Sequence, residues 1–264
     1  MGRLADTFAR LRARDEPGLV AYVTAGDPTL ARTSEILVSL SQNGADVIEV
    51  GVPFSDPLAD GPVIQRASER ALAGGATLRR ALDMIRETRA RIASPIVLFS
   101  YANPILRMGE DAFVRTAAAA GVDGVLVLDL PIEEAASFRG QLVERDLDPV
   151  FLLSPTTTDV RIRAAAELGR GFLYVISRLG VTGVRDQLAA DVEPLVRRIR
   201  AQSSLPLALG FGISTPEHVA AVSRWADAAV VGSALVSVIA EHGASSDVAA
   251  RAGAYVRWLK GQPS

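Results

Sequence analysis

The stretch VIEVGVPFSDPLADGP, residues 47–62, sets Glu49 among valines and then places Asp56 and Asp60 in a proline-rich turn. Carboxylates in unlike surroundings can divide acid from base work. Among apolar neighbours Glu49 should have a raised pKa and be able to hold or deliver a proton. In a polar loop Asp60 should stay ionised and accept a hydrogen bond from a substrate N–H or O–H. Two blander readings stand beside this one: Glu49 in a structural ion pair, or a DPLAD loop around a divalent cation. No further carboxylate or histidine motif completes a metal shell, so the expectation is no metal. The histidines, His218 and His242, read as surface residues of helix segments without triad company.

The opposite candidate is glycine-rich. LGFGIST (209–215) and VVGSALV (230–236) follow apolar runs, and the segment after Gly232 reads as a helix whose N-terminus faces an anion. The loop SRLGVTGVRDQ (177–187) adds Gly180 and Gly183. The glycines could instead serve tight turns alone. Taken together, the two ends suit a substrate with a phosphate at one side and acid–base chemistry about a ligand's length away.

These groups must be positioned by repeating elements. Short β-branched runs at 19–26, 46–53, 95–102, 124–131, 149–155, 172–178, 205–212 and 227–234 read as strands. Between them, segments such as 77–92, 111–121, 133–146 and 192–202 have helical period. Thr215 with Pro216 marks a helix start, and Gly121 and Gly169 mark helix ends. Strands apolar throughout are buried on both faces, the mark of a parallel sheet. Eight such units predict a single (β/α)8 TIM-barrel domain over 1–264 with an extra N-terminal helix; a doubly wound open sheet is the rival. In the second strand Val47, Glu49 and Gly51 share one face, and Glu49 lies close to the C-terminal rim, where the fold carries its chemistry.

Composition narrows the class. The chain has 264 residues, 49% of them hydrophobic, a formal net charge of −2 and no cysteine. A near-neutral chain gives no case for nucleic acid or an anionic membrane, and disulfides and thiolate chemistry are excluded. The N-terminal residues lack the apolar run of a signal peptide, and no run is long enough to span a membrane. The expectation is a cytoplasmic enzyme.

The strand-2 motif Glu49–Pro62, with VTAGDP (23–28), YANP (101–104), DLP (129–131), Ser177–Gly183, Gly210–Ile213 and Gly232–Ala234 in order, resembles the tryptophan synthase alpha chain family from about residue 18 to 236. The resemblance implies retro-aldol cleavage of indole-3-glycerol phosphate to indole and glyceraldehyde 3-phosphate. It assigns Glu49 as the proton shuttle and Asp60 as acceptor of the indole N–H. It places the indole among Tyr22, Phe99, Leu126 and Tyr174, and the phosphate on Gly183, Phe211, Gly212, Gly232 and Ser233. Thr182 would orient Asp60 when its loop closes. The resemblance further implies no cofactor in this chain, a beta chain carrying pyridoxal phosphate, an α2β2 assembly, and Pro53 and Asp56 at that contact. Tyr22 stands where phenylalanine is common, Phe99 where leucine is common, and Leu128 where the family has proline or a smaller residue. A stand-alone lyase, a catalytically silent regulatory barrel and a sugar-phosphate isomerase are the alternatives.

Overall fold

The computed structural model describes residues 2–176, 186–210 and 212–262. Eight parallel strands, β1 (Gly18–Thr24), β2 (Val47–Gly51), β3 (Ile96–Ser100), β4 (Gly124–Val127), β5 (Asp148–Leu153), β6 (Leu173–Ile176), β7 (Leu207–Gly210) and β8 (Ala228–Val231), pair in sequence order. β8 returns to β1, closing the barrel. The open-sheet rival is thereby excluded, and each expected strand is present.

Alternation along the strands sorts the core in two. Ile48 and Val50 pack outward with the helices, while Val20, Val47, Val97, Leu126, Val150 and Ala208 fill the barrel interior. Helix α1 (Arg3–Arg14) turns Leu4, Phe8 and Leu11 into that inner cluster, with Phe8 against Phe172 at 5.5 Å between ring centres. The extra helix therefore stoppers the N-terminal end of the barrel and leaves the C-terminal end as the opening.

The remaining helices are α2 (Leu30–Gln42), α3 (Pro62–Ala73), α4 (Leu78–Thr88), α5 (Ala102–Met108), α6 (Glu110–Ala120), α7 (Ala135–Glu144), α8 (Asp159–Leu168), α9 (Asp186–Arg200), α10 (Pro216–Val222), α11 (Ser233–His242) and α12 (Val248–Leu259). Thr215 caps α10 by accepting from the His218 N–H, with Pro216 in its first turn. Gly121 ends α6 in the left-handed conformation, with φ +79°, which residues with a Cβ avoid. α9 starts several residues before the helical period becomes readable at 192.

Candidate active site

β2 delivers Glu49 to the barrel interior. Its register partners are Tyr22 on β1 and Val97 on β3. The side chain is fully buried, and among the described residues neither carboxylate oxygen has a hydrogen-bond partner. No described residue forms an ion pair with it, which counts against the structural-pair reading. Burial disfavours the charged form and pushes its pKa up from 4.5 to about 8. Such an acid is protonated at neutral pH yet close enough to titration to exchange its proton.

Around Glu49 stand aromatic rings, in the tilted and edge-on arrangements that their quadrupoles favour. Tyr22 meets Phe99 edge to face at 5.4 Å, and Phe99 lies 6.5 Å from Tyr174. Leu126, the register partner of Phe99, is fully buried in the interior cluster. Burial raises the Tyr174 phenol, and the charge of Glu49 raises it further, which places the two groups in one electrostatic neighbourhood. Gly51 belongs to the same face for a steric reason. A Cβ there would run into the Tyr22 hydroxyl, so only glycine leaves room for the phenol.

Asp60 stands in the β2–α3 loop, just ahead of Gly61 and Pro62, which start α3. It is half-buried, not freely solvated as its polar loop suggested, and burial pushes its carboxyl up from the ordinary value. Tyr101 opposes that shift by donating to Asp60 Oδ2 at 3.2 Å. The same phenol accepts from the Ala59 N–H at 3.1 Å and stacks on Phe54 at 5.0 Å. Tyr101 thus fixes the loop that carries Asp60. Sequence reasoning saw it only as part of YANP and assigned it no role.

Helix α3 is itself docked onto the rim. Arg70 binds Asp27, in the loop after β1, through Nε at 2.8 Å and Nη2 at 2.7 Å. Such a two-pronged, charge-assisted pair holds direction as well as distance. Val63, Ile64 and Ala67 of α3 pack with Tyr22 and with Val236 of α11.

The glycine-rich end lies beside Tyr22. Gly232 follows β8 and is the N-cap of α11, whose first turn has no side-chain cap, leaving backbone N–H groups for a ligand. A Cβ at Gly232 would first meet Tyr22 Cβ at 3.9 Å and Ile64 Cδ1 at 4.0 Å, so this backbone faces the same space as the aromatic wall. Ser233 is exposed in that first turn. Gly212 has φ +50° with open space around its Cα, the conformation that favours glycine. Thr182, Gly183 and Phe211 lie outside the described residues. Pro53 is buried within the chain, and Asp56 is exposed. Among the described residues no cluster of three or more His, Asp or Glu could hold a metal ion.

Comparison with known proteins agrees with this geometry. The family model for the tryptophan synthase alpha chain matches residues 8–260. The chain belongs to the tryptophan synthase alpha chain family. An alpha chain from Burkholderia thailandensis is 49% identical over 261 residues, covering 98% of this chain and 96% of that one. One from Geobacter sulfurreducens is 51% identical over 238 residues, covering 90% of each. A crystal structure of tryptophan synthase subunit alpha from Legionella pneumophila superposes with a TM-score of 0.89 at 39% identity, covering 99% of this chain and 98% of that one. The chain is therefore a carbon–carbon lyase of tryptophan biosynthesis that cleaves indole-3-glycerol phosphate. The family works with a beta subunit, and its alpha chain has no cofactor of its own. Among the described residues no helix is long and apolar enough to cross a membrane.

Proposed function

We propose that Glu49 and Asp60 carry the cleavage in one TIM-barrel domain over 1–264. Protonated Glu49 gives its proton to indole C3. The resulting Glu49 carboxylate takes the proton of the hydroxyl on the adjacent carbon. As the aldehyde forms, the C–C bond breaks and its electron pair returns to the ring, releasing indole and glyceraldehyde 3-phosphate. Asp60 accepts the indole N–H and offsets the positive charge that ring protonation places there, which requires its ionised form. The indole ring lies among Tyr22, Phe99, Leu126 and Tyr174. The phosphate rests on the backbone of Gly212, Gly232 and Ser233 with the Ser233 hydroxyl, joined by Gly183 and Phe211, and Thr182 orients Asp60 on loop closure.

The observation that carries this reading is an acid buried without ion pair or hydrogen bond among the described residues and walled by aromatic rings. Glu49→Gln and Asp60→Asn should each leave a folded chain while lowering cleavage by at least ~10²-fold. Near-normal turnover in both variants would overturn the roles.

The partner in this reading is a pyridoxal-phosphate-dependent beta chain in an α2β2 assembly, reached from the C-terminal rim. Leu58 is 93% exposed beside Asp56, and Leu106 on α5 is 61% exposed. These exposed leucines on rim segments are where that contact is proposed. Buried Pro53 shapes the loop that presents them. The chain's place in amino-acid biosynthesis supports a cytoplasmic location.

A further inference from the structure

We propose that the paired hydroxyls of Tyr22 and Thr24 determine specificity by binding the hydroxyl-bearing carbons that join the substrate's ring to its phosphate. The inference rests on the site reading above and adds a polar function to a side chain that reading uses only as an apolar wall.

The phenol is placed with care. Its ring already packs on Phe99, Ile64 and Val236, which a phenyl ring would do as well. The hydroxyl reaches further, to the level of Gly51, and the chain keeps that position without a side chain to admit it. Among the described residues its only hydrogen-bond partner is Thr24 Oγ1, at a long 3.5 Å. Both residues are buried, at 5% and 2% exposure. A bond between two hydroxyls uses one donor and one acceptor position, so one proton and several lone pairs remain open. Buried polar capacity of that kind is normally satisfied.

The location fits the middle of the substrate. The Cβ end of Tyr22 looks toward Gly232 at the start of α11, where the phosphate would rest. Its register partner is Glu49, where the bond would break. Burial, reinforced by the charge of Asp60, holds the phenol protonated, so it is available as a donor.

Tyr22→Phe removes the hydroxyl and keeps the ring. The test compares kcat/KM for indole-3-glycerol phosphate with the inhibition constant of indole-3-propyl phosphate, which has the same ring and phosphate without the hydroxyls. Loss of one neutral hydrogen bond predicts about a tenfold fall in kcat/KM with inhibition unchanged. Thr24→Val should move the values in the same direction. Equal losses for both ligands, or no loss for either, overturn the proposal. Phe99→Ala separates that outcome from failure of the site itself. It should weaken both ligands, and if it weakens neither, the ring does not bind here and both readings fall.

Discussion

Replacing Glu49 by glutamine should stabilise the protein, and by an amount that grows with pH. In the folded chain the carboxyl has a pKa of about 8 against an ordinary 4.5, with burial as the cause. Below about pH 4.5 the group is protonated in both folded and unfolded states and costs nothing extra. Between 4.5 and 8 the unfolded chain releases its proton while the folded chain keeps it. The folded state then binds more protons, and stability falls as pH rises. Above 8 both states are ionised and the whole cost is present. The rise from 4.5 to about 8, at about 1.36 kcal/mol for each pH unit, comes to about 5 kcal/mol. That is a large part of the ~5–15 kcal/mol that holds a typical domain together. Glutamine mimics the neutral acid in shape and cannot titrate. Urea unfolding of both proteins from pH 4 to 9.5 isolates the effect, because every other titrating group cancels in the difference. The stability advantage of Glu49→Gln should rise by about 1.4 kcal/mol per pH unit across the window and level off above 8. A difference that stays flat would mean that Glu49 is solvated or paired, and the proton-shuttle reading would fail with it. Activity supplies a second readout. Wild-type turnover should fall as pH rises through about 8, where the acid form is lost, and as pH falls through the Asp60 pKa.

Other perturbations probe the surrounding parts. Gly51→Ala drives a Cβ into the Tyr22 hydroxyl and should cost about 1–3 kcal/mol in urea unfolding; adding Tyr22→Leu should recover most of that loss. Gly212→Val forces a β-branched residue to φ +50°, a strain of about 1–2 kcal/mol. It should weaken indole-3-glycerol phosphate far more than free indole in a titration, and equal losses would remove Gly212 from the phosphate site. Leu58→Asp should weaken association with a beta chain in analytical ultracentrifugation while the isolated chain keeps its own turnover. Unchanged association would move the contact elsewhere on the rim.

The barrel was legible because its physics is local. Short β-branched runs apolar on both faces and bounded by turn residues fit buried strands, and Thr215, Pro216 and Gly121 mark helix ends by their own backbone preferences. The period of two also grouped Glu49 with Val47 and Gly51 on one face, and the structure makes that face the inner one. What the sequence hid is set by residues distant along the chain. Asp60 is half-buried because Tyr101, at the end of β3, lies over its loop, and no local pattern announces that bond. Gly51 reads as a strand terminus until Tyr22 is seen to occupy its missing side chain.

Whether Glu49 was paired could not be read from a chain so rich in arginine; among the described residues the fold sets its pairing bases elsewhere. Asp46, Asp123 and Asp227, just before β2, β4 and β8, and Asp148, the first residue of β5, pair with Lys260, Arg89, Arg200 and Arg170. Each of these contacts lies at the N-terminal end of a strand, the face that fastens this fold. Asp148 and Glu49 are both buried carboxylates on strands, and desolvation raises both, but the charge of Arg170 draws Asp148 back down while Glu49 has no cation among the described residues to do so. An arginine beside Glu49 would stabilise the carboxylate and abolish the proton it has to deliver. The cost of leaving this acid unpaired is therefore the same quantity that makes it an acid at neutral pH.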